Sequence, residues 1–323
     1  MDNKQIYKAT LCFSIRRALW DILALVVLGG LCYGGFLIAD KATDKGLIGL
    51  LIGGVVGLIA LVIFMRWVSY KYKAGQIAMM TKGVTEGTLP EDVLGEGEKV
   101  VKARFKTVAA FFAVTSVIKG IFNQLGRGIT AAGQAIGGDT GGAVGSAVSS
   151  AIQVVVSYLC DCCLGWVFYR AEVKATKATC EGAVLFFKHG KTLAKNMGRV
   201  FGIGLASLVA IGGAFTGIFY LIASNFPVVF DNIFNEIKEA VARNSGTLPD
   251  WLNSPQILMI VACAIGGIII WSIIHSVFIR PFVLVGVLRN YIQSGINDIP
   301  SEESFKVLDG KSAKFKKLHQ EAA

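Results

Sequence analysis

The chain has 323 residues, of which 54% are hydrophobic and only 17% charged, with a mean hydropathy of +0.59 and a formal charge of +10. Soluble domains average about 45–50% apolar and about 25% charged residues, so an ordinary soluble enzyme and a disordered chain are both excluded. The positive charge would indicate nucleic acid if it formed one patch, but it is split between long uncharged stretches.

A helix needs roughly 20 mostly apolar residues to cross about 30 Å of hydrocarbon, so gaps between charges locate the spans. Residues 1–17, with Lys4, Lys8, Arg16 and Arg17, read as a cytoplasmic N-terminus before an uncleaved first helix. Spans are expected at about 18–39, 46–66, 106–125, 143–168, 200–224 and 256–279. The third is short and carries Lys119. Counting it as a crossing keeps the basic 169–199 segment on the same side as the other basic segments, and a re-entrant pair would do the same.

With six spans and both termini inside, segments 1–17, 66–106, 169–199 and 280–323 hold 26 of the 32 Lys and Arg. That asymmetry is the cytoplasmic signature, and it leaves no site for nucleic acid. The expected fold class is an all-α integral membrane protein of about six transmembrane helices, N-in and C-in, with interfacial amphipathic helices on the cytoplasmic side. Residues 280–298 are expected to be one such helix, and residues 299–323 a flexible basic tail. Trp20, Trp67, Trp166 and Trp251 fall at span ends, where amphipathic rings favour the interface.

Small residues let membrane helices approach closely. Gly49, Gly53 and Gly57 repeat every four residues in the second span, and Gly133, Gly137, Gly141 and Gly145 lead into the fourth. Homo-oligomeric packing is expected from them, with intramolecular packing or a glycine-rich loop as the other reading. Between the fourth and fifth spans Lys174, Lys177, Lys188, Lys191, Lys195 and Arg199 share a helix face, which suits anionic lipid headgroups at the inner leaflet or a solvated surface.

Ionisable groups within spans are functional candidates by default. Asp21, Lys119, Asp161 and His275 are such groups here, and Trp271 lies one turn before His275 on the same face. The run Cys160-Asp161-Cys162-Cys163 resembles a metal site in composition. Neighbouring side chains on a helix diverge by about 100°, however, and no second Cys pair completes a tetrahedron. No metal, no cofactor and no catalytic residue is expected, and no enzyme motif is found.

Leu193-Ala194-Lys195-Asn196-Met197-Gly198-Arg199-Val200 resembles the L-x-R-N-x-x-R-V run with which choline-transporter-like proteins enter a late membrane helix. Ser276-Val277-Phe278, leading into an amphipathic helix and a polar tail, is similar to that family's ending. The resemblance covers about residues 155–300, and the chain departs from the family in having six spans rather than about ten. It implies a carrier of choline or a related amine, held by aromatic faces for which Trp271, Phe219 and Tyr220 would serve. The expected function is a transporter or channel for a small solute, cationic under that resemblance. The alternative is a membrane scaffold that binds anionic lipid or a partner through its basic helices.

Overall fold

The computed structural model describes residues 1–43, 46–137, 142–243, 249 and 251–322. Every regular element among them is helical. In chain order these are α1 (Asn3–Ala9), α2 (Leu11–Thr43), α3 (Gly46–Val68), α4 (Ala74–Thr85), α5 (Val93–Arg104), α6 (Val108–Gly137) and α7 (Gly142–Tyr169). Then come α8 (Ala175–Ser207), α9 (Gly213–Ala223), α10 (Pro227–Arg243), α11 (Pro255–Ile274), α12 (Arg280–Asn297), α13 (Glu302–Asp309) and α14 (Ala313–Ala322). Three π-helical turns, Ser69–Lys73, Leu208–Gly212 and His275–Ile279, join α3 to α4, α8 to α9 and α11 to α12.

Four stretches are long and apolar enough to cross a bilayer: Leu11–Ala42, Ile48–Thr85, Gly202–Ala223 and Pro255–Asn297. A fifth is possible if α5 and the Val108–Gln124 part of α6, bent by 78°, act as one broken span. Val156–Tyr169 is a shorter apolar helix. These helices are consistent with a multi-pass membrane protein.

The chain divides into two units, Met1–Arg199 with Arg280–Ala323, and Val200–Ile279. In the first unit α2 and α3 pair antiparallel through glycine. A Cβ added to Gly49 would lie 2.0 Å from the Gly35 carbonyl oxygen, and one on Gly53 would lie 2.2 Å from that of Leu31. Gly57 faces Leu28, whose methyl would sit 2.6 Å from an added Cβ. This part of the glycine pattern therefore packs helices within the chain. Gly30 and Gly34 meet nothing within 4 Å. Around the pair, Val26, Ile38, Ile52 and Ile63 stay exposed, as expected of helices whose solvent is lipid rather than water.

The remainder of this unit has a packed core of α4, α7 and α12 with α1 and α5 against them. Trp166 is fully buried and donates its indole N–H to Glu181 Oε2 at 3.0 Å. Its sequence position suggested an interfacial anchor, but a buried carboxylate supplies the polar partner. Glu181 also accepts from Arg170 Nε at 3.0 Å, and that hydrogen bond raises the arginine above its ordinary pKa. Gly295 gives the Trp166 ring its room, since a Cβ there would sit 2.4 Å from the ring.

On α12 Leu284, Val285, Leu288, Tyr291 and Ile292 are buried against protein, while Phe282 and Ile296 stay exposed. Two expectations change here. The segment expected to be a flexible tail forms α13 and α14, because Phe305, Leu308, Phe315 and Leu318 recur at helical spacing and bury together. The basic helix after the fourth span and the start of the fifth span are one element, α8, with no break at residue 200.

In the second unit α11 packs on α9 through Gly266 and Gly267. A Cβ on Gly267 would lie 2.2 Å from Thr216 Oγ1, and one on Gly266 would lie 2.9 Å from the Phe219 ring. The helix α10 turns Phe234 inward and leaves Val228, Val229 and Ile233 exposed.

Candidate functional site

The chemistry of the first unit concentrates on Asp161. It lies on α7, two turns before the C-terminal end of an apolar helix, and is only 4% exposed. A carboxylate there must be paired, because an unpaired buried charge is costly. Lys73 Nζ lies 2.6 Å from Asp161 Oδ1, and Arg280 Nη2 bonds Oδ2. The same Nη2 donates to the Ser157 carbonyl at 3.0 Å, and the guanidinium stacks on the Tyr158 ring at 5.1 Å.

Both cations arrive from π-helical turns. Lys73 is the last residue of Ser69–Lys73, and Arg280 comes directly after His275–Ile279. A π turn inserts an extra residue and rotates the register of the helix beyond it, and such turns concentrate at functional sites. Two unrelated stretches of chain therefore use the same local device to aim a cation at one carboxylate. The triad carries one negative and two positive charges.

A second pair lies beside it on α2. Arg17 Nε is 3.9 Å from Asp21 Oδ2, and Asp21 is also 4% exposed. Arg17 interacts electrostatically with both Asp161 and Arg280. Asp21 and Asp161, which read in the sequence as separate intramembrane candidates, are thus parts of one charge cluster with Arg17, Lys73 and Arg280.

The other candidate residues are dispersed. Lys119 is exposed on α6. In the second unit Trp271 and His275 do meet, with rings 5.2 Å apart, and the Trp271 N–H donates to Ser207 Oγ at 3.0 Å. Phe219 instead covers Gly266, and Tyr220 is exposed. No ring contact joins Trp271 to Phe219 or Tyr220 among the described residues.

Of the basic residues at the start of α8 and along it, Lys174, just before the helix, and Lys177 are exposed, whereas Lys188 pairs with Asp298. The Lys188 hydrogen bond lowers the Asp298 pKa. The Lys191, Lys195 and Arg199 side chains lie outside the described residues. Gly141 does too, and of Gly133, Gly137 and Gly145 only helical backbone is described. Burial pushes the Cys180 thiol up to about 12, which leaves it protonated and a poor nucleophile at neutral pH.

Sequence reasoning misses Lys73 and Arg280. Each counts there as a flanking cytoplasmic charge, and nothing in a one-dimensional pattern marks a flanking lysine as aimed inward.

No family model, curated protein or solved structure matches this chain. The Asp161 cluster therefore has to be interpreted from its own chemistry.

Proposed function

We propose that this is a multi-pass membrane transport protein for a small polar or charged solute, and that the Asp161 cluster is where the solute's charge is handled. The observation that carries this is a buried carboxylate held by two cations, each standing at the end of a lipid-length apolar helix, α3 or α11. Buried intramembrane charge is expensive, and its usual use is a substrate, ion or proton pathway. A carboxylate shared between Lys73 and Arg280 can release either cation to a passing polar group while keeping the other, so the site stays charge-compensated through a cycle.

Six spans with both termini inside belong to the same proposal, supported by 26 of 32 basic residues falling on one side. The likeness to choline-transporter-like proteins implies the same class of activity. The proposal rests on the charge cluster, and the dispersed aromatics give no reason to prefer an amine.

The test is solute flux in proteoliposomes, with choline, small amines and small inorganic anions as probes. The double variant Asp161→Asn/Lys73→Met keeps the local charge balance and should fold, yet lose flux. Lys119→Ala, exposed and in none of the cluster's ion pairs, should transport normally. Absence of flux for every solute in the wild-type protein would remove the function, and full flux in the double variant would remove the site.

The exposed Lys174 and Lys177 favour a second reading, a scaffold held to anionic lipid. Reversing both to glutamate should then weaken binding to anionic vesicles without any effect on flux.

A further inference from the structure

A separate cavity of about 230 Å³ lies in the first unit, where the apolar run of α3 ends. It is lined by Trp67, Tyr70 and Lys71 from the end of α3 and its π turn, and by Glu98, Val101 and Lys102 from α5. At roughly 30 Å³ per water it holds about eight waters' worth of space. That is below the about 300 Å³ at which pockets for drug-sized ligands begin. A headgroup fits this size better than a whole metabolite.

Its two walls differ. Trp67, Tyr70 and Val101 supply an apolar side, with Tyr70 fixed by donating its hydroxyl to the Phe105 carbonyl at 3.0 Å. The other side is ionic: Lys71 Nζ lies 3.2 Å from Glu98 Oε1, and Lys102 Nζ lies 4.0 Å from Oε2. One carboxylate serves two ammonium groups, so the wall keeps one positive charge. Lys102 is 72% exposed and free to swing towards a ligand.

A cationic ligand is disfavoured. The Trp67 face already carries Lys71 Nζ at 5.6 Å, and a third cation would meet two ammonium groups with one carboxylate between them. A single anionic group restores neutrality. A tryptophan at the end of an apolar helix also places this wall at headgroup depth in the proposed insertion.

We propose that this cavity binds the phosphate of an anionic phospholipid headgroup, with Lys71 and Lys102 on the phosphate oxygens and Trp67, Tyr70 and Val101 against the glycerol end. Glu98 is the internal competitor that holds the two lysines in place when the site is empty. The inference is independent of transport through the Asp161 cluster.

The full chain in neutral detergent is titrated with short-chain phosphatidylglycerol, short-chain phosphatidylcholine and inorganic phosphate, and bound ligand is read by native mass spectrometry. Phosphatidylglycerol should bind at least tenfold more tightly than phosphatidylcholine. Lys71→Ala/Lys102→Ala should abolish that preference, and Lys102→Ala alone, at an exposed position that does not endanger folding, should weaken binding severalfold. Glu98→Gln should tighten binding, a gain that a merely structural role would not produce. Lys99→Ala/Lys106→Ala, exposed lysines that do not line the cavity, should bind as wild type. Competition by inorganic phosphate at equal concentration would make free phosphate the ligand of the same site. Equal binding of the two lipids, unchanged phosphatidylglycerol binding in the double lysine variant, or weaker binding in Glu98→Gln would overturn the assignment.

Discussion

Asp161→Asn is the sharpest test of the charge cluster. The amide keeps the side chain's size but offers one acceptor oxygen and no charge, so Lys73 and Arg280 face each other across a neutral group. Breaking a buried pair by removing one partner costs about 3–5 kcal/mol. The Lys73 and Arg280 side chains are 28% and 20% exposed. Water reaching them should reduce the loss to about 2–4 kcal/mol. For a body of this size, each kcal/mol moves Tm by about 2–4 °C, so a fall of roughly 4–16 °C is expected. Thermal unfolding in detergent, monitored by circular dichroism, measures it. Adding Lys73→Met removes one stranded cation and should recover about half of the loss, a coupling that a double-mutant cycle isolates. The reasoning fails if Asp161→Asn melts with the wild type, or if the double variant loses as much as the two single variants together.

Four further outcomes rest on the geometry. Gly53→Ala should destabilise the α2–α3 pair by about 1–3 kcal/mol, because its Cβ meets the Leu31 backbone, whereas Gly30→Ala, with open space around it, should be neutral or slightly stabilising; comparing their melting temperatures decides this. Gly295→Ala should cost a similar amount, about 1–3 kcal/mol, and shift Trp166 fluorescence, since the added methyl would strike that ring. Glu181→Gln should loosen the α7–α8 corner and redshift Trp166 emission as its N–H partner loses charge. His319 is partly buried, which lowers its pKa, but hydrogen bonds to Asp309 and Glu302 outweigh this and raise it above the ordinary value of 6.5. A raised histidine stabilises fully below its unfolded pKa and loses that contribution as pH rises through the folded value. Protease cleavage within α13–α14 should therefore accelerate from pH 6 to pH 8 in wild type and stay flat in His319→Gln.

Some features of this protein are easier to read from sequence than others, for physical reasons. The apolar pattern of α2, α3, α9 and α11 is legible because lipid imposes a length and forbids charge, and both constraints act on consecutive residues. Gly49, Gly53 and Gly57 are legible as a packing face for the same reason, since a helix repeats every few residues. Their partner is not legible. Gly35 makes the close approach while Gly30 and Gly34 on the same helix meet nothing, and only the pairing of α2 with α3 selects it. The α13–α14 pair is hidden because five lysines obscure the four apolar residues that bury.

By itself, then, the sequence determined the helical class, the apolar stretches suited to a bilayer and two of the five charges in the candidate site. Those features depend on local composition and on the period of one helix. Tertiary structure alone decided that Asp21 and Asp161 share a cluster, that Lys73 and Arg280 point into it, and that α12 belongs to a protein core. The physical reason is distance along the chain. Arg280 stands 119 residues from its carboxylate, and the register that aims it depends on a π turn whose extra residue leaves no mark on the hydropathy pattern.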